Sequence, residues 1–292
     1  MKSNMKKTTV AAMAAFALFS TNAMAHVTNE KTLYEDLGVS KAQDEILLLT
    51  GLGAIHGDHN VSLFKPLDVL TKKDLAVWAG YFHGSESEDV TVVQQDAVKK
   101  GYVDSLDGNV TYQDLATAYF GKDFALDKQY DAKKEITKEE AALFLGTYIY
   151  QPYNGKTLAD MAGDKEGPHG VVEAVEDHVI TVKEEKGKKT YTVSHHPKLL
   201  NADTDLNALV GKEIGNSWIG EDEGQEVIKV ISVGQRHEVT SEPTAQTTSA
   251  TEKPEKSAEK TTKKEEKRSP VVPIIGVIIL AGILYFVLRK KK

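Results

Sequence analysis

One local pattern is spelled three times in this chain. Leu70-Thr71-Lys72-Lys73-Asp74-Leu75-Ala76, Val110-Thr111-Tyr112-Gln113-Asp114-Leu115-Ala116 and Ile136-Thr137-Lys138-Glu139-Glu140-Ala141-Ala142 share one order: an apolar residue, Thr, two variable positions, an acid, then two small or apolar residues. That order is a helix start. The Thr oxygen caps the backbone amide of the third helical residue, and the acid at that position reaches back to the cap. Leu70, Val110 and Ile136 precede the cap, while Leu75, Leu115 and Ala141 fall at the fourth helical position, as a hydrophobic staple requires. Three such starts between residues 70 and 142 indicate a threefold internal repeat.

The surrounding sequence reads as mostly helical. Ile46, Leu47, Leu49 and Leu52 give a broad apolar face over Lys41 to Leu52, ended by Gly51 and Gly53. Leu75, Trp78 and Ala79 continue the core on the helix after Thr71. Val92 to Lys100 and Tyr112 to Phe120 supply a second pair, and Lys138 to Tyr148 the last helix.

Gly53-Ala54-Ile55-His56-Gly57, Phe64-Lys65-Pro66 and Thr71-Lys72-Lys73-Asp74 follow one another in an order that resembles the S-layer homology (SLH) family. Its repeat runs as a helix, a Gly-Ile-x-x-Gly turn, a Phe-x-Pro loop and a Thr-Arg-Ala-Glu helix start. The resemblance spans residues 34–150. The first repeat matches closely, with the Ile one place late. The second keeps Ala97, Gly101-Tyr102-Val103 and the Thr111 box, and the third little beyond its box. It implies a three-repeat helical domain that contacts cell-wall polysaccharide in grooves between repeats, with Thr71, Lys72, Asp74, Thr137 and Lys138 on the family's binding motif. Those residues also read plainly as helix caps with solvated lysines. Where the family carries Arg after the Thr, this chain has Lys72, Tyr112 and Lys138, so no planar guanidinium fork is available to grip an anion. Thr111 and Asp114 are expected to be structural, because Tyr112 replaces the cation.

From Gly167 the pattern changes to β-prone runs, Gly170 to Val175, His178 to Lys183, Lys189 to Ser194 and Glu226 to Val233, separated by turn signals. Glu185-Lys186-Gly187-Lys188 suits a hairpin turn, and Leu206 to Val210 one helical turn. Residues 167–235 are therefore expected to form a small antiparallel barrel or sandwich of about five strands, similar to OB- or SH3-like modules. The expected fold class is α+β multidomain: an SLH-like helical domain (26–160), the β module (167–235), a disordered linker and one transmembrane helix.

The chain ends complete that organisation. Lys2, Lys6 and Lys7, the apolar run Val10 to Phe19 and Ala23-Met24-Ala25 read as a cleaved signal peptide over residues 1–25, leaving His26 first. Residues 238–269 are rich in Thr, Ser, Glu, Lys and Pro and are expected to be disordered. Residues 271–288 are apolar, and at ~1.5 Å per residue they reach nearly the ~30 Å of a bilayer core. Residues 289–292 form a basic, cytoplasmic tail. This predicts a single-pass cell-membrane protein with its N-terminal domains outside and the lipid bilayer as one partner.

Composition narrows function. There is no cysteine, so disulfides, thiolate metal sites and Cys nucleophiles are excluded. Residues 26–237 hold 36 acids against 22 bases, which argues against nucleic acid. No Gly-x-Ser-x-Gly, His-Glu-x-x-His or P-loop occurs, so no enzyme and no cofactor are expected. Asp104 to Asp114 imitates an EF-hand loop, but Val103 occupies its first ligand position. His195-His196-Pro197 is expected in a polar loop. An alternative function rests on His26, His56 and His59: a membrane-tethered Cu or Zn accessory protein. An envelope protein partner for the β module also stays open.

Overall fold

The residue before each cap is where the three repeats meet. The computed structural model describes residues 26–56, 62–222 and 224–239. In it, the Leu70 amide donates to the Ile136 carbonyl (2.9 Å), Val110 to Leu70 (2.9 Å) and Ile136 to Val110 (3.0 Å). These bonds close a ring of three, and all three side chains are fully buried. Short bridges pair Val69 with Thr137, Thr71 with Asn109 and Thr111 with Glu135 around it.

From this hub the capped helices radiate. The helices are α1 (Gln43–Gly51), α2 (Lys72–Phe82), α3 (Val90–Lys100), α4 (Tyr112–Phe120), α5 (Lys138–Tyr150) and α6 (Leu158–Met161). Thr71, Thr111 and Thr137 each accept from the amide three residues on. The second and third boxes are reciprocal, with Asp114 and Glu140 accepting from the cap amides. α6 begins with a fourth box, Thr157 with Asp160, which is also reciprocal. Its preceding residue, Lys156, is not apolar, so the staple that marked the other three is missing.

The strands are β1 (Thr28–Asn29), β2 (Lys165–Glu166), β3 (Gly170–Glu176), β4 (Val179–Glu184), β5 (Gly187–Leu200), β6 (Glu213–Asp222) and β7 (Gln225–Val233). They form one seven-stranded sheet in the order β1-β5-β4-β3-β6-β2, with β7 off this path and pairing with both β5 and β6. The expected small antiparallel barrel or sandwich is corrected by this sheet. It is mixed, since β1 and β7 both run parallel to β5. β6, absent from the sequence reading, is a long internal strand. Its sequence hides it: Gly215, Asn216, Ser217 and Gly220 break the β-prone pattern, yet all four are buried. Gly220 is required by contact, because a Cβ there would sit 2.0 Å from an Asp164 carboxylate oxygen.

The helical layer and the sheet share a core. One buried cluster runs from the hub through α1 and α5 to Leu200, Trp218 and Val230 of the sheet, and a second lies among the strands. At the junction α1 presses on the sheet through Gly51, where a Cβ would lie 2.4 Å from Val230 Cγ2. All described residues belong to one compact unit, Met1–Thr244, and the other unit, Ala245–Lys292, lies outside them.

The single-pass membrane topology is corrected as well. No helix among the described residues is long and apolar enough to cross a membrane. The predicted signal (1–25), transmembrane segment (271–288), basic tail (289–292) and nearly all of the spacer (238–269) lie outside the described residues.

Candidate functional site

Around the hub, the first residue of each capped helix meets the acid of the next repeat. Lys138 of the third repeat lies with its Nζ 3.6 Å from Asp74 Oδ2 of the first. Lys72 of the first shares a cavity with Asp114 of the second. Tyr112 of the second is close enough to Glu140 of the third that, after burial, its charge raises the phenol above its ordinary value. The three grooves are thus built alike and filled differently.

The first groove is the roomy one, about 750 Å³. Lys138 and Asp74 stand in it against Phe64, Trp78 and Tyr81. Phe64 and Trp78 are stacked at 6.0 Å between centroids, Tyr34 packs 5.4 Å from Phe64, and the Lys138 ammonium lies 5.8 Å from the Phe64 ring centre. Phe64 is held by its own backbone, since Asp36 accepts from the Phe64 and Lys65 amides at 2.8 and 2.7 Å. The Asp74 box makes only its Thr71 half: the Thr71 oxygen accepts from the Asp74 amide at 3.2 Å, and the carboxylate lies toward Lys138. Of the three box acids, Asp74 is the one turned toward a groove cation of another repeat.

The second groove is smaller, about 220 Å³, with Lys72, Asp104, Asp114 and Tyr102 on its walls. Lys72 is already engaged, donating to Asp104 at 2.6 Å. That bond holds the Lys72 amine above and the Asp104 carboxyl below their ordinary values. The third groove is filled. Tyr112 packs on Tyr130 at 4.9 Å and on Phe144 at 5.8 Å, in an aromatic cluster that continues through Phe120, Phe124 and Tyr148. Burial raises the Glu140 carboxyl, but its bonds from Lys134 and Thr137 win and hold it below the ordinary value.

Of the residues expected to bind polysaccharide, Asp74 and Lys138 are therefore brought together across two repeats. Lys72 stands in a separate groove, and Thr71 and Thr137 are occupied as helix caps. Sequence order alone did not pair a residue of the third repeat with one of the first. Phe64 was visible as part of Phe-x-Pro, whereas Tyr34 and Tyr81 carried no signal of their own.

The other expected sites resolve differently. In the EF-hand-like loop Asp104 is taken by Lys72, and Asp114 by the Thr111 amide and hydroxyl at 2.9 and 2.8 Å. His195-His196-Pro197 is not a loop: it lies within β5, where the pairing with β7 shifts register between Val193 and Lys198. His26 and His56 line one cavity between α1 and the sheet, while His59 lies outside the described residues. Among the described residues no group of three or more His, Asp or Glu is placed to hold a metal ion. Comparison with family models, with curated proteins and with solved structures finds no match.

Proposed function

We propose that this protein is a non-catalytic recognition protein that binds cell-wall polysaccharide in the groove between its third and first repeats. The observation that carries the reading is the pairing of Lys138 with Asp74 across those repeats, in an open cavity backed by Phe64 and Trp78. A cation, an acceptor and aromatic rings in one cleft are what a polyhydroxylated, carboxylate-bearing chain needs for orientation and contact. The resemblance to the SLH family supports the same ligand class. The other two grooves contribute less: Lys72 is committed to Asp104, and the third groove is packed with aromatic rings.

Lysine offers a mobile, hydrated ammonium rather than a bidentate fork, and a surface charge pair contributes about 0–1 kcal/mol. Retention on wall polysaccharide is accordingly weak and salt-sensitive. The test is retention of the full chain on purified wall polysaccharide at low and high ionic strength. Lys138→Ala lowers low-salt retention, Lys138→Arg raises it, and Lys72→Ala changes it little. Absence of retention at every ionic strength, or equal loss from Lys72→Ala and Lys138→Ala, removes the groove assignment.

A further inference from the structure

The cavity between α1 and the sheet, about 580 Å³, adjoins the first groove at Tyr34 and His56 and is otherwise walled mainly by α1, β1, β5, the end of β6, and β7. Its walls hold a lysine without a counter-ion. Lys198 forms no ion pair among the described residues, and its Nζ reaches only the His196 carbonyl, at 3.5 Å. The stem of Lys198 passes beside Gly51, whose missing side chain makes room for it: a Cβ there would lie 3.0 Å from Lys198 Cγ. Burial pulls the amine below its ordinary value. The neighbouring cation, Lys229, is by contrast fully engaged, donating to both Asp164 oxygens at 3.0 and 3.1 Å.

Thr28 is the register partner of Lys198 in the parallel β1–β5 pair and lines the same cavity. Its hydroxyl is buried without a hydrogen-bond partner. Two groups on neighbouring strands are thus left short of partners beside one space, a cost that folding alone does not recover. Glu221 and Asp222 line the same cavity. Asp222 accepts from the Ser194 hydroxyl at 2.7 Å. Tyr34 and Ile55 add apolar wall.

We propose that this cavity is a second binding site, for a small zwitterion of the amino-acid class. The ligand carboxylate meets Lys198, with the Thr28 hydroxyl available by side-chain rotation, and the ligand ammonium faces Asp222. A dianion such as phosphate is disfavoured by Asp222, and a simple cation by Lys198. A zwitterion answers both charges at once.

The test is a titration of the full, isotope-labelled chain, followed by backbone amide chemical shifts, with three probes: L-leucine, L-leucinamide and N-acetyl-L-leucine. Leucinamide lacks the carboxylate and acetyl-leucine lacks the ammonium. Leucine is expected to give saturable shifts at Thr28, Gly51, Gly53 and Lys198, and each derivative to bind at least about tenfold more weakly. Lys198→Gln should weaken leucine by a similar factor, and Lys198→Arg should retain it. If Lys198→Gln does not fold, the three-probe comparison on the native chain still decides. Equal binding of all three probes, shifts spread over exposed lysines, undiminished binding by Lys198→Gln or no saturable shift with leucine would each overturn the site.

Discussion

Replacing Gly51 by Ala sets two well-understood effects against each other. Gly51 is the last residue of α1, and helix propensity alone favours Ala by up to about 1 kcal/mol. The new Cβ, however, would lie 2.4 Å from Val230 Cγ2 and 3.0 Å from Lys198 Cγ. Val230 is β-branched, fully buried and fixed in β7, so it cannot swing aside, and overpacking of this kind costs about 1–3 kcal/mol. The clash wins, and Gly51→Ala is expected to destabilise by about 1–2 kcal/mol, lowering the melting temperature by roughly 2–8 °C for a unit of this size. Gly146→Ala is the control. Its Cβ would lie 2.4 Å from Glu45 Cγ and 3.1 Å from Glu45 Cβ; the Cγ can turn away about χ1, and the Cβ must give by a few tenths of an ångström. Its cost should be smaller than that of Gly51→Ala, because one partner atom is free to rotate and Ala gains helix propensity. Urea unfolding of both variants, followed by far-UV circular dichroism and by fluorescence of buried Trp78 and Trp218, measures the two costs. A Gly51→Ala variant as stable as the parent, or more so, would show that α1 is not pressed against the sheet and that the shared core is wrong.

Three further outcomes are expected. Ile136→Ala empties a fully buried position at the hub and should cost about 2–5 kcal/mol, against about 0.5–1.5 kcal/mol for Ile136→Val, both read by urea unfolding. Thr137→Ala removes the α5 cap and should cost about 1 kcal/mol, while Thr71→Ala, whose box is one-sided, should cost no more. His83 is held below its ordinary value first by burial, against the opposing bond of its Nε2 to the Ala118 carbonyl at 2.8 Å. Because its folded value lies below the unfolded 6.5, its stabilising contribution is complete above pH 6.5 and falls away as pH drops from there through the folded value. Unfolding curves of His83→Gln between neutral and mildly acidic pH should therefore lack that part of the slope, and a parent-like slope would count against it.

The helical half was legible because the helix start of each repeat carries its own chemistry. A Thr, an acid three residues on and an apolar residue before the cap can be read without knowing what the helix packs against, so Thr111 and Thr137 fell where expected. β6 was not legible, because Gly215 and Gly220 are demanded by neighbours far along the chain, the Gln235 carbonyl and Asp164, and local preference says nothing of them. The same limit applied to function. Lys138 and Asp74 were each recognisable as motif positions, but only closure of the ring brings the third repeat against the first. Lys198 drew no notice at all, since it follows a stretch read as a polar loop, and a lysine there looks like solvated surface until its neighbours are known.

The ring at the hub also fixes how many repeats this architecture can hold. In an open stack of repeats, units can be gained or lost at an end, since each touches only its neighbours. Here Leu70, Val110 and Ile136 each give one backbone bond and receive one, and no end remains at which to add. Excising one unit would strand a buried amide on one survivor and a buried carbonyl on another, each costing about 1–3 kcal/mol. The third repeat can therefore lose nearly all of its likeness to the first, and its groove can fill with aromatic rings, while the chain is still obliged to keep it.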